Sequence, residues 1–255
     1  MKDWALILGS SSGIGAECAK RLAKNGINIY GLYLRKRKKD IEILKENLSK
    51  YNVEVIFKKA NASNEESRND IVGEIKNHGN IRIKMFIHSI AFGTLKNMVS
   101  ISEDSLNKKN IEMTLDTMCN NIIYWTQDLL KAQLLTEGSH IIAMTSSGGR
   151  KNWPSYGAVS LAKAGLESVC RQLSLELAKY KISVNALQAG VTQTSALKKI
   201  PGHEKMIQNA IDNNPHNRLT TPEDIADFIE ILLSYNSSWM TGNVIRIDGG
   251  EDITG

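Results

Sequence analysis

The sequence predicts a doubly wound α/β fold: a seven-stranded parallel sheet covered by helices on both faces, in a single domain spanning 1–255. Three observations carry this. Seven short apolar runs alternate with longer amphipathic ones, and the first apolar run flows directly into a glycine-rich loop. No internal repeat, low-complexity tract or Pro/Gly-rich linker divides the chain.

The strand candidates, in order, are "WALIL", "INIYGLYL", "VEVIF", "IKMFIHSI", "HIIAM", "ISVNAL" and "NVIRID". Runs this short and this apolar suit strands buried on both faces of a parallel sheet. Helical patterns fill the gaps, as in "GAECAKRLAKNG", where Gly26 supplies a C-terminal stop. Long helices are expected at about 104–135 and 155–179, both with large apolar residues (Trp125, Leu129, Leu173) that a subunit interface could bury. One segment breaks the rhythm. Residues 192–218, "TQTSALKKIPGHEKMIQNAIDNNPHNR", lie between a strand and the helix after "TPED". An insertion there sits beyond a strand's carboxyl end, where such sheets bind ligands, and is a candidate substrate lid.

Hydrophobic residues make up 42% and charged residues 23%, as in a soluble globular protein, and no run nears the roughly 18 apolar residues of a membrane span. The N-terminus reads as a buried strand rather than a targeting signal. Cys18, Cys119 and Cys170 are isolated, which fits buried reduced thiols and a cytoplasmic location. The five histidines form no cluster with cysteine or carboxylate, so no metal site is indicated. A net charge of +5 reads as a solvated basic surface; the basic residues form no nucleic-acid recognition element.

"LILGSSSGIG" puts Gly9, Gly13 and Gly15 after the first strand and at the start of a helix. Glycines there let the backbone turn tightly and approach a pyrophosphate, which the helix N-terminus stabilises. This makes the fold Rossmann-type and gives Ser11, Ser12 and Ile14 a place beside the ligand. An NAD site usually has an acid about 20 residues after the glycines. Here "GLYLRKRKKD" ends the second strand in basic residues, with none before Asp40. Arg35 and Lys36 would meet a 2′-phosphate with charge-assisted hydrogen bonds, so NADPH is the expected cofactor; a solvated basic turn is the plainer alternative.

"SYGAVSLAK" sets Tyr156 seven positions before Lys163, with Ser160 between them. At 100° per residue that step returns to within about 20° of its start, so both lie on one face of a helix beginning near Ser155, which Pro154 suits.

With these motifs the chain resembles the short-chain dehydrogenase/reductases over essentially its whole length, in the glycine loop, "VNALQAG" and "TGNVIRIDGG". Most members carry Tyr-x3-Lys. Tyr-x6-Lys, "IHSIAFG" (87–93) and "AGVTQT" (189–194) are instead similar to the enoyl-acyl-carrier-protein reductase branch. "GSSSGIG" with "YLRKRK" most resembles its NADPH-using, short-insert Bacillus-type members. The resemblance implies NADPH-dependent reduction of the 2,3-double bond of an enoyl thioester in fatty acid biosynthesis. Tyr156 and Lys163 would be the catalytic pair. Asn61, Ala62, Ser89, Ile90, Ala91, Val191 and Thr194 would join the glycine loop, Arg35, Lys36 and Lys163 in holding the cofactor. It further implies a homo-oligomer, a tetramer more than a dimer, and an acyl carrier protein as partner, for which Lys198, Lys199 and Lys205 form either a candidate basic rim or merely a solvated lid surface.

Two departures weigh on this. Met118 falls where many members have a relay asparagine, with Asn120 and Asn121 off register. Ser146 stands ten residues before Tyr156, where the enoyl reductase pattern has a second tyrosine. It is the third catalytic candidate, because it resembles the serine of the carbonyl reductases, and it could equally cap a turn. Phe92, Trp153 and Leu197 flank the motifs and either line an acyl pocket or pack in the core. The rival activities are a carbonyl (3-oxoacyl-type) or other enoyl reductase and a non-catalytic NADP-binding sensor.

Overall fold

The computed structural model describes residues 1–101 and 104–254. The expected domain of 1–255 also takes in Ser102, Glu103 and Gly255, which lie outside the described residues.

Strand β1 (Lys2–Leu8) runs through the glycine loop into α1 (Gly13–Lys24), and β2 (Asn28–Tyr33), α2 (Lys38–Ser49), β3 (Val55–Lys59) and α3 (Glu65–Asn77) follow. The chain then crosses to β4 (Ile81–His88), α4 (Lys108–Leu115), a π-helical turn at Asp116–Asn120, and α5 (Asn121–Lys131). The second half adds β5 (His140–Ser146), α6 (Gly157–Leu177), β6 (Ser183–Ala189), α7 (His203–Asn213), α8 (Pro222–Ser234) and β7 (Val244–Ile247). The seven strands form one parallel sheet in the order β3-β2-β1-β4-β5-β6-β7. The order reverses between β1 and β4, and at such a switch point a crevice opens beyond the strands' carboxyl ends.

The core explains the strand pattern. Along β1, Trp4, Leu6 and Leu8 enter the cluster containing Trp125, Leu129 and Leu166, whereas Ala5 and Ile7 enter the opposite cluster with Leu22 and Ile229. A strand buried on both faces shows no apolar alternation, only a continuous run. β3 begins two residues later than "VEVIF" suggests, because Asn28 takes the Glu54 amide with its side chain and ladder pairing starts at Ile29–Val55.

Three expectations need correction. The helix anticipated over 104–135 is two α-helices around a π turn, which brings Met118 and Cys119 into the core. Trp125, Leu129 and Leu173 are also core residues: the first two are fully buried and Leu173 is 7% exposed. The Trp125 indole donates to the Ala62 carbonyl (2.9 Å), an interior partner, so these three offer nothing to a second subunit. Finally, α6 starts at Gly157 rather than near Ser155, since Ser155 is left-handed (φ +60°) and Tyr156 is the N-cap.

No helix among the described residues is long and apolar enough to cross a membrane, and Cys18, Cys119 and Cys170 are free and buried.

Candidate active site

Backbone contact builds the first part of the site. Gly9 is left-handed (φ +86°), and a Cβ there would lie 2.3 Å from the Ser89 carbonyl oxygen. A Cβ on Gly15 would lie 2.2 Å from the Gly9 carbonyl oxygen. Only glycine lets the loop after β1 touch the end of β4 and fold under α1. Ile14 then packs into the core. Helix α1 enters with an extended Ser12 N-cap that makes no side-chain cap, and no acid lies in its first turn. Its first amides and dipole thus face the loop without an internal anion.

In front of that terminus lies a cleft of about 370 Å³ lined by Ser11, Ser12, Gly13, Arg35, Lys36, Gln193, Thr194 and Ser195. The structure thereby brings the serine loop, two of the basic residues after β2 and Thr194 together, and it adds Gln193 and Ser195, which sequence reasoning missed. Asn61 lies elsewhere, on a second cleft of about 630 Å³ with Ser63, Asn64, Thr117 and Asn120. Ala62 is held by Trp125. Ser89 donates its amide to the Leu8 carbonyl (2.9 Å), Ile90 packs on the core and Ala91 is exposed.

The second part grows from β5 and α6. Lys163 is 6% exposed, and its Nζ donates to the Met144 carbonyl at 2.5 Å. Burial pulls its pKa down to about 8, against the upward pull of Cys119, Glu167 and Cys170. Glu167, one turn further along, is also buried and accepts a hydrogen bond from Thr145 Oγ1 (2.8 Å). Its only sequence signal was the i,i+4 spacing from Lys163.

Tyr156 is partly buried, packing beside the core. Burial raises its phenol's pKa and Ser146 pulls it back. Ser146 Oγ is buried and lacks good hydrogen-bond geometry to any partner, the nearby phenol included. The loop between them is tight: a Cβ on Gly148 would come within 2.5 Å of the Tyr156 ring and 3.3 Å of Ser146 Oγ. Lys163 is not among the influences on this phenol; the lysine's charge instead bears on His88. His88 is fully buried, bonds to Asn121, and has its pKa lowered to about 4, chiefly by burial. Asn121 thus serves His88, and Met118 packs in the core with its sulfur 3.2 Å from the Cβ position of Gly93.

The three residues expected around a substrate each find a different neighbour. Phe92 lies under the Arg35 guanidinium, 4.0 Å from ring centroid to carbon. The Trp153 indole donates to the Pro201 carbonyl (3.0 Å), and Leu197 is buried in a short 3₁₀ turn of the insertion. The segment expected as a lid is folded: a Thr192–Thr220 bridge closes its base, α7 forms its body, and Lys198, Lys199 and Lys205 are exposed.

The chain's C-terminal segment fixes this half from behind, and no local motif announced it. Glu251 accepts the Val191 amide (2.9 Å). The Asp252 side chain, 5% exposed, meets Arg150 (2.7 Å), Lys151 (3.0 Å) and Arg246 (3.4 Å). Burial pushes the Asp252 carboxyl up, but hydrogen bonds from Gln188 and Lys151 bring it below its usual value.

Comparison with known proteins agrees with this architecture. The family described as Enoyl-(Acyl carrier protein) reductase matches residues 9–251. The chain is 27% identical over 254 residues to the 1-cyclohexenylcarbonyl-CoA reductase of Streptomyces collinus, covering 98% of this chain and 86% of that protein. It is 26% identical over 239 residues to the enoyl-[acyl-carrier-protein] reductase [NADH] FabI of Enterococcus faecalis, covering 93% and 91% respectively. The crystal structure of the enoyl-[acyl-carrier-protein] reductase (NADH) of Aquifex aeolicus superposes with a TM-score of 0.83 at 25% identity, over 100% of this chain and 97% of that one. Both of the latter carry NADH in their names, so kinship speaks for a nicotinamide dinucleotide and leaves the choice between NADH and NADPH to the residues at the rim. The glycine cradle, the open terminus of α1 and the adjoining cleft fit such a dinucleotide. The chain is an oxidoreductase and belongs to the enoyl-(acyl carrier protein) reductase family, a branch of the short-chain dehydrogenase/reductases.

Proposed function

We propose that this protein reduces the 2,3-double bond of enoyl thioesters with NADPH, as an enoyl-acyl-carrier-protein reductase of fatty acid synthesis. The observation that carries the reading is the Tyr156–Lys163 pair, two turns apart, the phenol at the head of α6 and the ammonium buried against β5. A bound reduced nicotinamide would supply hydride to the β-carbon of the enoyl group. Negative charge then develops on the thioester oxygen, away from the carbon that receives hydride, and the resulting enolate would take up a proton from solvent at its α-carbon to complete the reduction. Tyr156, kept protonated by burial, is the donor for that oxygen. Lys163, protonated at neutral pH, would bind the nicotinamide ribose.

Support for NADPH comes from Arg35 and Lys36 beside Ser11 and Ser12. A 2′-phosphate there would gain charge-assisted hydrogen bonds, and no acid stands between Glu17 and Asp40 to receive a ribose hydroxyl. Lys198, Lys199 and Lys205 suit an acidic acyl carrier protein. Reversing charge at Lys198 and Lys199 should raise KM for carrier-bound substrate and leave coenzyme A thioesters unaffected. A homotetramer is part of the reading; light scattering that finds a monomer at micromolar concentration would remove it.

One observation favours a second reading. The Oγ of half-buried Ser146 is shielded from solvent without a hydrogen-bond partner and sits beside Tyr156, as that of a carbonyl-reducing serine would. Measuring NADPH oxidation with crotonyl and acetoacetyl thioesters in parallel separates the two. Turnover of crotonyl thioester alone supports enoyl reduction, turnover of acetoacetyl thioester alone supports carbonyl reduction, and none with either favours a binding protein.

A further inference from the structure

We propose that Phe92 is a cofactor-specificity residue: its ring holds the Arg35 guanidinium at the mouth of the phosphate cleft, ready for the phosphate monoester of NADPH. This rests on the NADPH reading given above. The basic run after β2 contains five consecutive cations, and the structure sorts them. Arg37 pairs with Asp40 (3.1 Å) and Lys38 with Glu42 (3.8 Å), so their charges are partly answered within α2 and its cap. Only Arg35 and Lys36 line the cleft with Ser11, Ser12 and Gly13, and neither meets a carboxylate among the described residues. Arg35 has an aromatic partner instead. Its guanidinium carbon stands 4.0 Å from the Phe92 ring centroid, well inside the roughly 6 Å reach of a cation–π contact.

The geometry suits anion capture. A guanidinium lying on a ring uses its face there and leaves its N–H edge free, and that edge is what grips a phosphate bidentately. Phe92 comes from the loop after β4, while Arg35 follows β2, so the contact spans two separate walls of the crevice. An exposed arginine otherwise samples many rotamers and must be ordered when the ligand arrives. Holding it beforehand lowers that cost for a ligand that uses the guanidinium and changes nothing for one that does not. NADPH is the first kind of ligand and NADH the second. Phe92 therefore belongs with the cofactor rather than with an acyl pocket or the core, the two places its sequence position left open.

The test measures dissociation constants of NADPH and NADH by calorimetry for wild type, Arg35→Ala, Phe92→Leu, Phe92→Met, Phe92→Tyr and the Arg35→Ala/Phe92→Leu double variant. Phe92→Leu and Phe92→Met keep apolar bulk and remove the ring face. Each should weaken NADPH about two- to fivefold, the worth of an exposed cation–π contact, with NADH affinity unchanged, which also reports an intact fold. Phe92→Tyr should bind NADPH like wild type, and Phe92→Leu should cause no further loss in the Arg35→Ala background. Unchanged NADPH affinity in both ring-less variants would overturn the proposal. So would equal loosening of NADPH and NADH, or a full further loss on top of Arg35→Ala. Failure of the underlying reading looks different: Arg35→Ala itself would then weaken both cofactors equally.

Discussion

The two halves of the crevice are built in opposite ways. The cofactor side, between β1 and β4, depends on backbone touching backbone: Gly9 against Ser89 and Gly15 against Gly9, with no room for a single methyl group. The opposite side, around β5, β6 and the lid, is held by side chains that reach across the fold, such as Lys163 to Met144, Glu251 to Val191 and Trp153 to Pro201. Atoms packed at van der Waals limits tolerate no substitution, whereas a net of hydrogen bonds can lose one strand and persist. Changes on the first side should therefore act through binding of the whole dinucleotide, and changes on the second should separate into chemistry, pH response and lid closure.

The largest effect expected is on chemistry. Tyr156→Phe keeps the ring that packs against Gly148 and removes only the hydroxyl. Losing a donor aimed at developing charge costs ~10²–10³ in kcat. The dissociation constant for NADPH should stay near wild type, and stopped-flow hydride transfer is the measurement. Undiminished kcat would mean that the phenol is a packing residue and that the chemistry sits elsewhere.

Gly15→Ala tests the other half. The new methyl group would fall 2.2 Å from the Gly9 carbonyl oxygen, so the loop must move away from its place under α1. Loss of NADPH and NADH affinity together, by about tenfold or more, is expected, with Tm lowered as well. Gly26→Ala is the control, since that Cβ position has open space but a left-handed backbone (φ +79°). It should cost stability alone. Selective loss of NADPH in Gly15→Ala would contradict a purely steric cradle.

The contrast also decides what a reader of the sequence can see. Strands and the glycine loop were legible because each is a local pattern: a short apolar run, or a glycine wherever a Cβ would collide. The Tyr156–Lys163 pair was legible because a helix turns a fixed angle per residue. Legibility ended where a contact joins distant segments. Trp125, Leu129 and Leu173 form an apolar stripe, and a stripe does not say whether it meets a second subunit or, as here, the sheet and the Ala62 carbonyl. Arg35 was singled out for a phosphate and Phe92 for an acyl pocket or the core, and only the fold brings them into contact. The Asp252 hub is composed of ordinary surface residue types whose meaning depends on a chain end folding back. The π turn at Asp116–Asn120 left no mark in the spacing of apolar residues.

A smaller effect should come from pH. Lys163 has its pKa lowered from 10.5 to about 8 by burial, so between those values the unfolded chain holds a proton that the folded chain has released. Stability in that window therefore rises with pH, and below about pH 8 the buried ammonium is a burden on the fold. In cofactor-free protein, unfolding by urea from pH 7 to 10.5 should show wild type gaining stability relative to Lys163→Met. A constant difference across the window would mean that the ammonium is solvated in solution.

The smallest effect expected concerns the lid. Trp153 joins the loop before α6 to the insertion through one indole N–H to the Pro201 carbonyl, and its ring lies 3.6 Å from the Cβ position of Gly202. Gly202 is left-handed (φ +73°) and directly precedes α7, so this contact sits where the chain enters the helix of the insertion. Trp153→Phe keeps an aromatic ring beside Gly202 and deletes the donor. A hydrogen bond of this kind is worth about 0.5–1.5 kcal/mol, so if the insertion acts as a lid, its docking on the loop before α6 should weaken roughly two- to tenfold. The consequence should appear in KM for the thioester and in faster proteolysis near 200–203. Cofactor affinity should change less, because the insertion meets the Arg35 cleft at Gln193, Thr194 and Ser195, whereas Trp153 contacts it at Pro201 and Gly202. If Trp153→Phe altered NADPH binding as much as thioester binding, the two walls would be coupled through the lid, and the division between a backbone-built half and a side-chain-built half would fail at that point.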